Sequence, residues 1–223
     1  MMLKIAAAVF LAALVCGAGA DEYWFAYEGN DFPENEGWLR SFSDPAAERW
    51  LEGGSLFIDS RADVDITESY GMKREDGINP EPGETFIARW RLQVHELVGF
   101  ADPGVSILSD DRYALIFIFS ERRVWSAYEA NVYADFEPYV FHRFELRSEN
   151  MRDYELFIDD QLAIEGVFKE TFFGPGVGFG DLVRGGASLA EWDYFRFGVV
   201  PEPSSVMLLV QLFYVSTTRR SFG

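Results

Sequence analysis

The ten residues Phe86–His95 read FIARWRLQVH, and this stretch decides the fold class. Its apolar and mostly polar positions alternate: Phe86, Ala88, Trp90, Leu92 and Val94 are interleaved with Ile87, Arg89, Arg91, Gln93 and His95. Successive side chains of a β-strand point to opposite faces, so a period of two gives this segment one apolar face. The pattern predicts a half-buried strand of an antiparallel sheet.

The sequence around this strand predicts further strands. Tyr113–Phe119 is apolar throughout, which is typical of a central strand covered on both sides or facing a groove. Asp159 and Asp160 separate two short apolar runs and indicate the turn of a hairpin. The remaining predicted strands are Tyr23–Tyr27, Leu56–Ile58, Val140–Ser148, the hairpin strands Tyr154–Ile158 and Gln161–Ile164, and the closing strand Leu189–Phe197.

Only one segment carries the signals of a helix. Asp44 suits the N-cap and Pro45 the first position of a helix over Asp44–Trp50. Because short strands separated by Gly, Pro and Asp turns fill the rest of the chain, we expect an all-β fold, an antiparallel β-sandwich or jelly roll.

Four segments of the second half carry a resemblance to a known group of domains. They are Phe141–Arg147 (FHRFELR), Tyr154–Asp160 (YELFIDD), Gly176–Gly180 (GVGFG) and Glu191–Phe197 (EWDYFRF). Together they resemble concanavalin A-like lectin and glucanase domains, including laminin-G-like modules. The resemblance implies a concanavalin A-like jelly roll over residues 23–198. It describes strand and turn chemistry, and therefore supports the fold more than any activity.

The composition excludes two classes of partner. The 223 residues include 19 Lys and Arg against 37 Asp and Glu, a net charge of -18. Binding to nucleic acids or anionic membrane surfaces depends on clustered basic side chains, so we expect no nucleic-acid partner. Aromatic residues make up 17% of the chain, far more than a disordered acidic chain carries, which predicts a large packed core.

The first twenty residues have the pattern of a secretory signal peptide. Lys4 precedes the apolar run Ile5–Val15, which is too short to span a bilayer, and a small-residue cleavage site follows at 18–20. We expect signal peptidase to cut between Ala20 and Asp21, which removes Cys16, the only cysteine. The alternative is a lipoprotein acylated at Cys16, although such sites require a small residue before the cysteine.

The last residues carry a second resemblance. Pro201, Glu202 and Pro203 are followed by the apolar run Val206–Val215 and then by Arg219 and Arg220. This order is similar to the PEP-CTERM sorting signal of Gram-negative bacteria that make exopolysaccharide. It implies recognition by an exosortase, transient membrane association of the C-terminal segment, and delivery to the cell surface or extracellular matrix.

The sorting segment departs from that pattern, because its apolar run is short and is interrupted by Gln211. The alternative is a proline-rich linker followed by a last apolar strand. The favoured organisation is a signal peptide over 1–20, one β-sandwich domain over 21–200 and a sorting segment over 201–223.

Two carboxylates suggest glycoside chemistry. Alternation places Glu191 and Asp193 on one strand face, and some glucanases of this fold carry their catalytic acids as Glu-x-Asp-x-x-Glu. Arg196 stands where the last acid would be, so we assign no catalytic residue.

Histidine and serine motifs add no candidate. His95 and His142 are the only histidines, and His142 shares a face with Phe144 and Leu146, which predicts a buried, hydrogen-bonded ring. The sequence contains no His-x-x-x-His pair for zinc and no Gly-x-Ser-x-Gly elbow.

Acidic turns have two interpretations. Their carboxylates would suit a structural calcium ion, or they are solvated and keep the protein soluble, which we favour. The residues concerned are Asp59, Asp63, Asp65, Asp110, Asp111, Asp159, Asp160 and Asp181. We expect no other cofactor.

A sugar-binding surface combines aromatic rings with polar hydrogen-bonding groups. Arg89, Arg91 and Gln93 form one polar strand face, and Trp125, Tyr128 and Tyr133 lie in a segment between predicted strands. In the alternative interpretation the arginines pair with surplus acids and the aromatic rings fill the edge of the core.

We therefore favour an exported, non-catalytic β-sandwich that binds polysaccharide. Two alternatives stay open. One is a glycoside hydrolase or lyase of the same fold with a divergent site, and the other is a purely structural matrix protein.

Overall fold

A computed structural model of the chain describes residues 25–40, 47–62, 70–76, 78–99, 103–182 and 186–201. These residues form a short 3-10 helix, Pro33–Glu36, and sixteen strands. The strands are β1 (Phe25–Tyr27), β2 (Leu39–Arg40), β3 (Glu48–Glu52), β4 (Ser55–Asp59), β5 (Tyr70–Arg74), β6 (Glu84–Gly99), β7 (Gly104–Leu108), β8 (Tyr113–Phe119), β9 (Arg123–Ser126), β10 (Glu129–Asp135), β11 (His142–Ser148), β12 (Asp153–Ile158), β13 (Gln161–Val167), β14 (Lys169–Glu170), β15 (Gly176–Asp181) and β16 (Gly186–Pro201).

The strands form two antiparallel sheets. Sheet A has the order β13-β12-β11-β6-β16-β4-β3, with β1 also paired to β16. Sheet B has the order β10-β9-β8-β7-β15-β5-β2, with β14 also paired to β8. The two sheets pack face to face, so the predicted all-β sandwich of jelly-roll type is confirmed. None of the helical residues among those described forms a segment long and apolar enough to cross a membrane.

The core follows from the alternation in β6. Phe86, Trp90 and Leu92 are buried between the sheets, as the period of two predicts. The Trp90 ring stacks on Phe144 of β11 and Phe195 of β16, with centroid distances of 5.6 and 5.7 Å. Aromatic pairs of this kind contribute about 0.5–1.5 kcal/mol beyond the area they bury. Three strands far apart in sequence are thus joined through one indole ring.

The predicted hairpin is also confirmed. β12 and β13 pair up to Ile158 and Gln161, and the turn residues Asp159 and Asp160 have φ values of 49° and 67°. Two consecutive positive φ angles are those of a type I′ turn, which matches the right-handed twist of the strands. Tyr23, the predicted start of the first strand, lies outside the described residues, and β1 is described from Phe25 onward.

The helix predicted over Asp44–Trp50 is wrong for Glu48–Trp50, which belong to β3. Asp44 and Pro45 lie outside the described residues. β3 pairs with β4 through the two-residue turn Gly53-Gly54, where both φ angles are positive. The pairing prevails because Trp50 stands opposite Phe57 and their rings stack 5.0 Å apart, 6° from parallel.

A β-bulge interrupts β16 between Trp192 and Tyr194, where Tyr194 rather than Asp193 is the register partner of Arg91. Alternation places Glu191 and Asp193 on the outer side of sheet A, and the extra residue turns Phe195, which would otherwise face outward too, into the core. Gly29 follows β1 and packs its backbone against this bulge.

Candidate functional site

The structure separates the six residues predicted to bind a ligand. Arg89, Arg91 and Gln93 lie on β6, on the outer face of sheet A. Trp125 and Tyr133 are paired residues of β9 and β10 in sheet B, and Tyr128 lies in the turn between these strands. The prediction that these residues lie between strands is therefore wrong for Trp125 and Tyr133 and holds for Tyr128. Because the outer faces of a sandwich point in opposite directions, the two groups do not form one site.

The arginines of sheet A are engaged with acids. Arg89 and Arg147 both contact the Glu145 carboxylate at 2.5 Å, and Arg91 contacts Asp193 at 2.7 Å. Burial raises the pKa of Glu145, but the hydrogen bonds from the two guanidinium groups outweigh burial and hold this pKa below its usual value.

Guanidinium groups also cover aromatic rings on this face. Arg91 lies 4.4 Å from the centroid of Phe141, and Arg147 lies 4.6 Å from that of Phe157. The covered faces of these rings are not open to a ligand.

The aromatic residues of sheet B are more exposed. Tyr128 is 40% and Tyr133 48% exposed, so neither fills the edge of the core. Arg123 lies 4.2 Å from the Tyr133 ring centroid and pairs with Asp135 at 2.5 Å. One face of Tyr133 is thus covered, as on sheet A.

Four side chains form a line across sheet A, which we call the transverse row. Trp50, Phe57, Glu191 and Gln93 are successive register partners on β3, β4, β16 and β6. At a strand spacing of about 4.8 Å, the row is about 14 Å long. Its far end continues to Tyr139, which is 57% exposed and whose carbonyl oxygen accepts a hydrogen bond from Gln93 at 2.9 Å.

His95 orders the centre of the row. Its ring stacks on Phe57 with a centroid distance of 5.8 Å, and its Nε2 lies 2.8 Å from the Glu191 carboxylate. The amide nitrogen of Gln93 is 3.4 Å from Nδ1, a contact that assigns the proton to Nε2 and makes His95 the donor to Glu191. The row therefore has the half-buried Trp50 ring at one end, the exposed Tyr139 near the other, and hydrogen-bonded polar groups between them.

Glu191 and Asp193 are not a free pair of acids. Glu191 bonds to His95, Asp193 pairs with Arg91, and Arg196 pairs with Glu28. Retaining and inverting glycosidases need one carboxyl group that donates a proton and a second that acts as nucleophile or base. Here both acidic positions are occupied as hydrogen-bond acceptors of basic side chains.

Several of the acidic turns have protein partners. Asp59 pairs with Arg61 at 2.6 Å, and Asp160 pairs with Arg143. Across the ranges that the structure describes, no group of three or more His, Cys, Asp or Glu side chains is arranged to hold a metal ion. Asp63 and Asp65 lie outside those ranges, and a structural calcium ion stays a prediction.

The prediction for His142 is confirmed. The ring is 6% exposed, its Nδ1 lies 2.6 Å from the Asp159 carboxylate, and its Nε2 lies 2.7 Å from the Glu137 carbonyl oxygen. His142 is a structural residue that ties β11 to the β12–β13 turn.

Sequence reasoning missed Trp50, Phe57 and the placement of His95. A usable signal was present, because Gly53-Gly54 is a strong hairpin turn and Trp50 and Phe57 stand three positions to either side of it. That symmetry places the two rings opposite each other.

Comparison with known proteins finds solved structures that share the fold. No protein-family model and no curated protein sequence matches the chain. The structure is similar to a carbohydrate esterase of the Shiga toxin-encoding bacteriophage phi24B, with a TM-score of 0.58, 13% identity, and coverage of 80% of this chain and 98% of the esterase.

Two further solved structures share the fold. A galectin-like protein of unknown function from Bacillus subtilis has a TM-score of 0.52 and 10% identity, covering 79% of this chain and 94% of its own. The carbohydrate recognition domain of Emp46p in its potassium-bound form has a TM-score of 0.51 and 8% identity. The match covers 81% of this chain and 98% of that domain. At these identities the likeness shows a galectin-like and concanavalin A-like β-sandwich, and no activity.

Proposed function

We propose that this protein binds polysaccharide on the transverse row of sheet A and does not cleave it. The observation that carries the proposal is the register of Trp50, Phe57, Glu191 and Gln93, which places aromatic and hydrogen-bonding side chains in one line. The fold supports it, since structures of the same architecture include a carbohydrate recognition domain and a carbohydrate esterase.

The chemistry of the row suits a sugar chain. The C–H faces of sugar rings pack against aromatic side chains, here Trp50 on the edge strand β3 and Tyr139 at the other end. The Glu191 carboxylate accepts hydrogen bonds from hydroxyl groups, and the Gln93 amide both donates and accepts them. His95 holds Glu191 in place, so little side-chain entropy is lost when a hydroxyl group binds.

Binding is tested by native electrophoresis of the purified chain in gels that contain a soluble polysaccharide. The panel consists of β-1,3-glucan, mixed-linkage β-glucan, galactomannan, dextran and alginate. We expect retention on at least one polymer and a loss of about tenfold in affinity for Trp50→Ala, because an aromatic anchor is removed.

The matched control is Trp125→Ala, which removes a tryptophan from the outer face of sheet B. It should keep affinity within about twofold. Loss of binding in Trp125→Ala alone would place the site on the β9–β10 hairpin, and no retention on any polymer would refute the proposed function.

We further propose that the protein is exported and reaches the cell surface or extracellular matrix of a Gram-negative bacterium. The signal-peptide pattern of residues 1–20 and the sorting-signal pattern from Pro201 onward support this, and signal peptidase and an exosortase would be the processing partners. Ala20, Asp21 and the residues from Glu202 onward lie outside the described part of the chain.

Intact-mass measurement of secreted material tests the export proposal. The mature protein should begin at Asp21 and end near Pro201–Pro203 where exosortase is active. A mature species that keeps both Phe213 and Arg220 would refute processing at the sorting motif.

A further inference from the structure

Two adjacent phenylalanines are exposed on a loop of sheet B. Phe172 is 101% and Phe173 67% exposed, the highest values for large apolar side chains in the described part of the chain. They lie between β14 and β15, so neither ring contributes to the core. Apolar surface left in water is unfavourable by about 25 cal/mol for each Å², and such rings commonly mark a binding surface.

Phe172 borders a cleft of about 380 Å³. The other lining residues come from the β7–β8 turn and the end of β14: Asp111, Arg112, Tyr113, Glu170 and Thr171. The volume falls in the lower part of the range for small-molecule sites, about 300–1,000 Å³. A cleft of this size fits one or two sugar rings.

The base of the cleft is well ordered by backbone hydrogen bonds. The Thr171 amide donates to the Arg112 carbonyl oxygen at 2.8 Å, and the Tyr113 amide donates to the Ser109 hydroxyl at 3.0 Å. Tyr113 and Glu170 are register partners of β8 and β14. The polar side chains around the cleft therefore project from a fixed backbone, which lowers the entropy lost on binding.

The charged groups of the cleft are available for a ligand. Within the described ranges, the side chains of Asp111, Arg112 and Glu170 make no hydrogen bond or ion pair. On sheet A, by contrast, Arg91 and Arg147 are engaged with acids. Two carboxylates and one guanidinium beside a free aromatic ring match the hydroxyl groups and C–H faces of a sugar.

We propose that this cleft is a second carbohydrate site, which holds a neutral sugar residue of a polysaccharide against Phe172. This inference rests on the proposed function of the transverse row. The ligand is neutral because Arg112 and Arg152, whose guanidinium lies 5.2 Å from the Tyr113 ring centroid, balance the two acids of the cleft. The charge of -18 on the chain as a whole disfavours anionic ligands.

The two sites make a single chain bivalent. The transverse row lies on the outer face of sheet A, and the cleft lies where β8 of sheet B begins and β14 ends. A short stretch of polymer cannot reach both, so each site holds a different segment. One protein molecule thereby cross-links two polysaccharide strands.

The test measures cross-linking separately from binding. The full purified chain is mixed with the neutral polymer on which it is most strongly retained, and light scattering is followed as the ratio of protein to polymer rises. We expect scattering to rise about fivefold, pass through a maximum and fall when excess protein saturates the polymer, because each protein molecule is then bound through one site only.

The double variant Phe172→Ala with Phe173→Ala should bind the polymer with affinity within about threefold of the wild type but lose the rise in scattering. It will fold, because both side chains are largely exposed and their removal takes little packing from the fold. Phe172→Trp should keep cross-linking, and Leu162→Ala, which removes a 50% exposed side chain elsewhere, should behave as the wild type.

The outcomes distinguish the two proposals. Full cross-linking by the double phenylalanine variant overturns the second site while the transverse row stands. A protein that is dimeric without polymer, and monomeric once both phenylalanines are removed, also overturns it, because the loop would then join two copies. If the wild type is retained on no neutral polymer, the second site is overturned. The proposal that the transverse row binds a neutral polysaccharide is then overturned as well.

Discussion

Gly29 shows how a single residue supports the outer face of sheet A. Its φ is 73°, and a Cβ atom there would lie 2.5 Å from the Asp193 carbonyl oxygen and closer still to that of Gly54. Both neighbours are backbone atoms of sheet A: Asp193 forms the bulge, and Gly54 forms the turn beside Trp50 and Phe57. The transverse row therefore depends on a position where only glycine fits.

We expect Gly29→Ala to lower the free energy of unfolding by about 3 kcal/mol, from steric overlap added to backbone strain. Gly53→Ala is the matched control, because Gly53 has a similar φ of 64° but open space around its Cβ position. The control should cost only the strain, about 1 kcal/mol. Urea unfolding measures both, and equal losses in the two variants would contradict the overlap.

A second prediction at the scale of residues concerns Glu145 and the pH dependence of stability. Its folded-state pKa lies below the usual value because of Arg89 and Arg147, so its stabilisation is present above the unfolded pKa of about 4.3. The stabilisation is lost as pH falls through the folded pKa. We expect Glu145→Gln to lower the free energy of unfolding at pH 7 by about 1–3 kcal/mol and to flatten its decline below about pH 4.5.

Urea unfolding between pH 3 and pH 7 checks the Glu145 prediction. Glu155→Gln changes an exposed carboxylate of the adjacent strand β12 and serves as the control. A decline with falling pH that is as steep in Glu145→Gln as in the wild type would argue against the arginine pairing.

At the scale of elements, the turn of the β12–β13 hairpin contains two adjacent aspartates that have similar backbone angles but different contacts. Asp159 bonds to the His142 ring at 2.6 Å and to the Arg143 amide at 3.0 Å, whereas Asp160 makes only an exposed ion pair with Arg143. Both residues have positive φ angles, which glycine adopts without strain.

We expect Asp160→Gly to raise the free energy of unfolding by about 0.5–1 kcal/mol, because Asp-Gly suits a type I′ turn. Asp159→Gly should lower it by about 1–2 kcal/mol, since the buried His142 ring loses its partner. Thermal unfolding of both variants decides the matter, and stabilisation by Asp159→Gly would be incompatible with this role of Asp159.

Strand β16 leads to a prediction about catalysis. Glu191 and Asp193 share the outer face but are held by His95 and Arg91, and Arg196 occupies the position of the third acid. We expect the purified protein to release no reducing sugar from β-glucans. Glu191→Gln combined with Asp193→Asn should leave polysaccharide binding within about threefold, because amide oxygens still accept hydrogen bonds from hydroxyl groups. Reducing sugar released by the wild type and abolished in the double variant would establish an enzyme.

These elements show what can be predicted from sequence and what cannot. Alternation located β6 because one face of that strand is buried, and Asp159-Asp160 located a hairpin because its turn is local. Glu48–Trp50 was assigned to a helix because Asp44 and Pro45 are strong local signals, and the pairing with β4 overrides them.

The transverse row was harder to predict. Trp125 and Arg91 both lie on outward-facing strand positions, and periodicity does not tell which sheet a strand joins. The transverse row needs the register of β3, β4, β16 and β6, which come from three distant parts of the chain. Long-range pairing of this kind leaves no local signal.

At the scale of the whole molecule, the net charge of -18 dominates. Surplus negative charge destabilises the compact state by self-repulsion, and salt screens it. We therefore expect the Tm to rise by several degrees between about 0.02 M and 0.5 M NaCl. At matched ionic strength, calcium and magnesium should raise the Tm equally, and a larger shift with calcium would show a specific calcium site.

The position of β16 in sheet A has a consequence for when the protein folds. β16 is the last strand of the part of the chain that the structure describes, yet it joins β6 to β4 in the middle of the sheet and also pairs with β1. A nascent chain carries every other strand of sheet A before this one is made. Since long-range pairing must wait for its partner, folding completes only after synthesis has reached Pro201. Until then sheet A consists of two separate parts, β13-β12-β11-β6 and β4-β3, because the strand that joins them has not yet been made.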